Sequence, residues 1–330
     1  MDRRSFMATT SLTTAGLAAT GLLGMSATNA AARTHSGAGG LMNTQPDAAG
    51  AGGADMNNSA KFTMKFAPHF GMFRHSAGDD PIDQLKFAAD QGFTAWEDNG
   101  MASRSVEDQD RMARAMDQLG LTMGVFVLNM STAWGPHFSR NNNDDRERFL
   151  NEARAAVDVA KRVNAIWTTV VLGTREPRMP LAYQTAYAVD SLRRAAEILE
   201  PHGIVMVLEP LNPRDHPNML LAEMGHAYEI CRAVNSPSCK ILCDLYHQQA
   251  TEGNLIDNFE RSWDEVAYFQ IGDNPGRREP TTGEINYRNV FARIKARGFT
   301  GVLGMEHGNA LPGKEGEEAL LRAYRSVDPG

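Results

Sequence analysis

The sequence is short of cysteine, of clustered positive charge and of nucleotide-binding glycine motifs, and each shortage removes a class of function. Three cysteines occur in 330 residues, Cys231, Cys239 and Cys243, an odd number without the paired spacing of a metal knuckle. No essential disulfide is expected, with a Cys231–Cys239 pair as the alternative in an oxidising compartment. Lys and Arg total 33 against 40 Asp and Glu, a formal charge of -7, and no basic run stands out. That excludes the electrostatic footprint of a nucleic-acid binder or of a protein held to an anionic membrane surface. No Gly-x-Gly-x-x-Gly opens a helix after the first expected strand and no Gly-x-x-x-x-Gly-Lys occurs, so the common nucleotide folds lose ground. What is there, 42% hydrophobic and 22% charged residues, is ordinary for a globular protein with a sizeable core and a small polar ligand.

The first sixty residues stand apart from the rest. Arg3-Arg4 precedes an uncharged Ala/Thr/Leu/Gly stretch from Ala8 to Ala27, and small residues up to Ala32 offer cleavage sites. Residues 1–32 look like a twin-arginine export signal, which predicts the export machinery as a partner and a periplasmic location. The stretch is only moderately apolar, which argues against a stable membrane anchor. Residues 33–60 are rich in Gly, Ala and Asn and read as a flexible linker. The folded domain is expected over residues 61–330.

From Phe62 onward, apolar runs alternate with amphipathic segments. Strands are expected at Met64–Phe70, Thr94–Glu97, Thr122–Met130, Ala165–Leu172, Ile204–Leu208, Lys240–Asp244, Val266–Gln270 and Gly301–Glu306. Helices fall between them, at Asp80-Pro81 to Gly92, Val106–Leu119, Asp144–Val163, Leu181–Leu199, Leu221–Val234, Asn254–Arg261, Arg288–Arg297 and Glu317–Tyr324. Eight such units with right-handed crossovers favour a closed α/β architecture, a single (β/α)8 TIM barrel, over an open sheet.

The chemistry gathers at the carboxyl ends of the later strands. Glu209 follows Ile204-Val205-Met206-Val207-Leu208 without a break, and Asp244, Gln270 and Glu306 end the next three strands, each about 30 residues on. Side chains alternate along a barrel strand, so Val205, Val207 and Glu209 share one direction, towards the barrel mouth. Three carboxylates and an amide converging there repel one another unless they take up protons or bind a cation. The set Glu209, Asp244, Gln270, Glu306 is all oxygen, which suits Mg²⁺ or Mn²⁺ better than Zn²⁺ or copper. His247, three residues after Asp244, and Arg277, in the loop after Gln270, are the donors a carbonyl substrate with hydroxyl or carboxylate groups needs.

Four motifs carry a resemblance: Glu209-Pro-Leu-Asn with Arg214-Asp215, Asp244-x-Tyr-His247-x-Gln, Glu252-Gly-Asn-Leu, and Gln270-Ile-Gly-Asp273-Asn-Pro-Gly-Arg277-Arg-Glu279-Pro-x-Thr-Gly-Glu284-Ile-Asn-Tyr287. They resemble the hydroxypyruvate isomerase family of the xylose isomerase-like superfamily, which also holds the ketose 3-epimerases. The resemblance implies that Glu209 and Glu306 are an acid/base pair and metal ligands, and that Asp244 and Gln270 complete the metal site. His247 and Arg277 would touch the substrate, with Asp215 a further contact. The chain departs from the family in His307-Gly308-Asn309, where an aromatic residue and a proline are expected, and in its export signal.

The implied reaction is an aldose-ketose type isomerisation of a small hydroxy-carbonyl compound, hydroxypyruvate to tartronate semialdehyde. Ketose 3-epimerisation, or an exported keto-sugar epimerase or lyase, uses the same parts. A non-catalytic exported sugar-binding protein has no need of two carboxylates around one substrate carbon. The sequence leaves the oligomeric state open.

Overall fold

Each expected unit of strand and helix is present in the computed structural model, which describes residues 60–330. The export segment 1–32 and the linker up to residue 59 lie outside the described residues. In chain order the elements are β1 (Lys65–Ala67), α1 (Arg74–Ala77), α2 (Pro81–Asp90), β2 (Ala95–Trp96), α3 (Val106–Leu119), β3 (Thr122–Met123), α4 (Asn143–Val163), β4 (Trp167–Val170) and α5 (Leu181–Leu199). They continue with β5 (Val205–Leu208), α6 (Met224–Val234), β6 (Cys239–Asp244), α7 (Leu245–Thr251), α8 (Leu255–Arg261), β7 (Val266–Gln270), α9 (Tyr287–Ala296), β8 (Val302–Gly304) and α10 (Gly313–Val327).

Helix ends follow local chemistry. Asp80 accepts from Ile82 N at 2.7 Å ahead of Pro81 and starts α2. Ser105 caps α3 through Asp108 N at 3.1 Å, and Gly120, at φ +67°, stops it. Asn142 caps α4 through Asp144 N at 2.8 Å and Asp145 N at 3.2 Å.

Six strands form one parallel sheet in the order β1-β8-β7-β6-β5-β4, and β2 and β3 form a separate parallel pair. Single contacts close the ring. Glu97 N donates to Pro68 O at 2.9 Å between β2 and β1. Beyond β3, Val127 bridges Thr169 of β4, with Thr169 N donating to Phe126 O and Leu128 N to Thr169 O, both at 2.9 Å. The regular part of β3 is therefore shorter than the expected Thr122–Met130. α6 starts at Met224 rather than Leu221 because Leu220 N and Leu221 O are engaged by Gly173 O and Leu211 N.

The core has three parts, the smallest being Ala133, Val171, Leu211 and Met219. An inner cluster of Ala67, Ala95, Val125, Val207, Leu242, Tyr268 and Val302 draws on both arcs of the ring, and a larger outer cluster fills the space between strands and helices. Val207 sits in the inner cluster with Val205 packed against it, so the chain leaves β5 with Glu209 directed as the alternation required. The three cysteines are free and buried. Among the described residues no helix is long and apolar enough to cross a membrane.

Candidate active site

The strand ends deliver the side chains. Glu209 follows β5 and is held by its N–H on Val170 O at 3.2 Å. Asp244 and Gln270, the last residues of β6 and β7, are partners in register. Glu306 lies two residues past β8, after Met305 N donates to Ala67 O at 2.8 Å. Glu209, Asp244 and Gln270 are buried and Glu306 half-buried. Glu209, Glu306, His247, Arg277 and Asn99 line a cavity of about 310 Å³, whose other wall is Val127, Met130, Ala133, Trp134, Val171 and Leu211 with His216.

Asp244 divides its work between its two oxygens. Oδ1 caps α7, accepting from Tyr246 N at 2.8 Å and His247 N at 3.1 Å. Oδ2 faces the site, where Arg277 donates to it at 3.0 Å and His247 Nε2 stands 3.6 Å away. The cap orients His247, whose Nδ1 lies 3.3 Å from Asn212 N and 2.7 Å from Asn212 Nδ2. A backbone N–H only donates, so Nδ1 is the acceptor and Nε2 carries the ring proton. Nε2–H thus points into the site, 3.7 Å from Glu209 Oε1 and too far for a direct hydrogen bond. Burial lowers the His247 pKa to about 4, so the ring is neutral at ordinary pH.

Arg277 is the cation of the group. It donates to Glu306 Oε2 at 2.8 Å and, through Nε, to Glu306 O at 3.0 Å, and its guanidinium lies over the Tyr246 ring at 5.0 Å. Its backbone has φ +52°, a left-handed conformation that a non-glycine residue adopts at some cost. Burial works against its charge, but Glu306, Asp244 and Glu209 together outweigh that and raise its pKa. Asn99 Nδ2 donates to the other oxygen of Glu306 at 3.0 Å.

One guanidinium does not balance the acids around it. Burial first, then the charges of Glu306 and Asp244, raise the Glu209 pKa well above the carboxylate range. Burial likewise lifts Glu306 to about 7, against the opposing pull of Arg277. Gln270 Oε1 is buried without a hydrogen-bond partner among the described residues. A surplus of carboxylate with an orphaned amide oxygen at its edge fits a bound cation. Glu209, Asp244 and His247 also present ligand atoms within 4.8 Å of one another. With Nδ1 accepting from Asn212, however, His247 offers a proton at Nε2 rather than a lone pair, and Gln270 Oε1 is the better fourth donor.

Residues 85–327 match the family described as Xylose isomerase-like TIM barrel. The chain belongs to that family. It is 29% identical over 231 residues to the 2-oxo-tetronate isomerase of Pectobacterium atrosepticum, covering 68% of this chain and 86% of that one. It is 29% identical over 255 residues to a putative hydroxypyruvate isomerase of Danio rerio, covering 75% and 91%. A solved structure described as IOLI protein with a binding zinc atom has a TM-score of 0.66 at 18% identity, over 80% of this chain and 98% of that one. At that identity the likeness speaks for the fold. With these relatives the chain stands among the isomerases of the xylose isomerase-like TIM barrel family, similar to hydroxypyruvate isomerase.

Within this family member, the structure places Glu209, Glu306, His247 and Arg277 on the cavity wall, with Asp244 bound to Arg277 and Gln270 the register partner of Asp244, both off the wall. It does not bring Asp215 to the cavity wall. Asp215 is exposed and accepts from Asn212 Nδ2 at 3.0 Å and Tyr246 OH at 2.7 Å, so it steadies the two residues that flank His247. Sequence reasoning missed Glu97, Asn99, Asn212 and the Trp134–His216 pair, whose rings stack at 5.6 Å. Glu97 had a weak signal: it is an acid at the carboxyl end of an expected strand, as Glu209, Asp244 and Glu306 are, but the apolar run before it is only Ala95-Trp96.

Proposed function

We propose that the chain is a divalent-metal-dependent isomerase of a small hydroxy-carbonyl compound of the hydroxypyruvate type, working by proton transfer between Glu209 and Glu306. The observation that carries this reading is that both carboxylates line one cavity together with a guanidinium and a neutral imidazole donor. Glu209, Asp244, Gln270 and Glu306 would hold the ion, and four oxygen donors favour Mg²⁺ or Mn²⁺. When bound, such an ion polarises the substrate carbonyl and acidifies the adjacent C–H.

The chain's own residues do the rest. One glutamate removes the carbon-bound proton and the other returns a proton to the neighbouring carbon, while the substrate's hydroxyl oxygen gives up its proton and the former carbonyl oxygen takes one up. His247 Nε2–H donates to a substrate oxygen, and Arg277 offsets negative charge that develops there. Trp134, Met130 and Leu211 form the apolar side of the cavity, against which the carbon skeleton of the substrate would pack.

The test is incubation of the purified chain with Mg²⁺ or Mn²⁺ and hydroxypyruvate or 2-oxo-tetronate in deuterated water, followed by NMR. The expected result is conversion with solvent deuterium in the product, abolished by chelator and restored by added metal. Absence of conversion and of exchange with every such 2-oxo acid would overturn the reading. We also propose twin-arginine export to the periplasm. Arg3→Lys with Arg4→Lys is expected to retain the protein in the cytoplasm on fractionation, and unchanged export would remove that proposal.

A further inference from the structure

We propose that Glu97 is a positioning residue that sets which end of the Gln270 amide is presented beside Asp244. This rests on the metal-site reading above. The two ends of a glutamine amide have nearly the same shape, so packing alone does not choose between them, and hydrogen bonding must. Here Gln270 Nε2 donates to Glu97 Oε1 at 3.0 Å, which uses the donor end of the amide. The oxygen end is left free, buried and without a partner among the described residues. Turned the other way, the amide would set its oxygen against the Glu97 carboxylate and offer N–H, which cannot ligate a cation.

Glu97 is itself held by a built arrangement. The Tyr268 hydroxyl meets Glu97 Oε2 at 2.7 Å and accepts from Val125 N at 3.3 Å. Tyr268 donates to Oε2, which leaves Oε1 as the acceptor for Gln270 Nε2. Room for the pair comes from two glycines. A Cβ at Gly304 would overlap Glu97 Oε2, and a Cβ at Gly124 would overlap the Tyr268 hydroxyl oxygen. At the backbone, Glu97 N is tied to Pro68 O at the seam between β2 and β1. A buried acid with a dedicated tyrosine and two vacated positions around it is more than a satisfied core group needs, and among the described residues its hydrogen bond towards the strand-end acids is the one to the Gln270 amide.

The experiment is a double-mutant cycle read by Mn²⁺ binding, with calorimetry or the resonance of free Mn²⁺ as the signal. Four proteins enter it: the parent, Glu97→Leu, Gln270→Ala and the double variant. Glu97→Leu is expected to weaken Mn²⁺ binding about 10- to 100-fold, the usual cost of losing a group that orients a metal ligand. In the Gln270→Ala background the same substitution is expected to change affinity by no more than about twofold, the limit of additivity error. Unchanged affinity in Glu97→Leu would overturn the proposal. An equal loss in both backgrounds would overturn it too, because Glu97 would then act on the ion directly. A parent that binds no Mn²⁺ would sink the metal-site reading itself, which is distinguishable from a parent that binds while Glu97→Leu binds equally well. If circular dichroism shows that Glu97→Leu does not fold, Glu97→Gln of the same size replaces it. Tyr268 claims the oxygen of the new amide, its NH2 group faces Gln270 and turns that amide over, and the same pattern of losses is expected.

Discussion

The two arcs of the barrel differ in how they are tied and in what they supply. From β4 through β5, β6, β7 and β8 to β1 the strands share one continuous ladder, and the ends of β5 to β8 present Glu209, Asp244, Gln270 and Glu306. The arc of β2 and β3 has two-residue strands joined to the ring by isolated bonds, and from the loops beyond them come Asn99, Met130 and Trp134. On the proposed reading, the groups that would meet the ion and the substrate proton sit on the rigid arc, where position is held most closely. Shape and access come from the looser arc, where loops can vary without disturbing the ladder.

Substitutions on the two arcs should therefore fall into different kinetic classes. The largest effect is expected from Glu209→Gln and Glu306→Gln on the rigid arc, each lowering turnover by at least about 100-fold with a smaller change in substrate binding. The double variant should be little worse than the slower single, since removal and return of the proton belong to one sequence of steps. Turnover within a few-fold of the parent, with metal retained, would make that glutamate a ligand alone and leave the reaction in need of another base.

Asp244 comes next and separates fold from chemistry. Asp244→Ala and Asp244→Asn should both lose most of their Mn²⁺ affinity, but Asn keeps an acceptor for Tyr246 N and His247 N. Asn is therefore expected to be more stable than Ala by about 1 kcal/mol, the value of a helix cap, in denaturant titration. Equal stability would mean that the cap is dispensable.

On the looser arc, Trp134→Ala should raise KM by up to about tenfold, the worth of one aromatic contact, and leave turnover nearly unchanged. A fall in turnover with constant KM would place Trp134 in the reaction and break the division between arcs. The smallest effect belongs to Ser105→Ala, which removes the α3 cap behind that arc. It should cost about 1 kcal/mol of stability and change neither kinetic constant.

What was legible in the sequence follows the same division. Glu209, Asp244, Gln270 and Glu306 could be found because each ends a buried apolar run, and a run of that kind is visible without knowing its neighbours. Glu97 follows only Ala95-Trp96 in the regular strand, too short a run to draw attention to its last residue. Trp134 and His216 lie in loops, where no periodicity marks them, and they meet only because the loops after β3 and β5 converge. α7 was hidden because Asp244 is at once the last residue of β6 and the cap of the helix, which leaves no turn to announce it. The barrel as a whole was readable from its alternation, but strand lengths were not, since they depend on which neighbour a backbone group finds.

The division of labour within Asp244 has a consequence for how this site can change over generations. One oxygen maintains the helix that carries His247, and the other faces Arg277 and the acid cluster. On the proposed metal-site reading, a lineage that abandoned the cation would relax selection on one oxygen while the other stayed under constraint. Descendants with a new activity would then be expected to keep Asp or Asn at this position, and with it the imidazole in place, long after the remaining ligands have drifted. The residue most diagnostic of the old chemistry would be the last to disappear and the least informative about whether that chemistry survives.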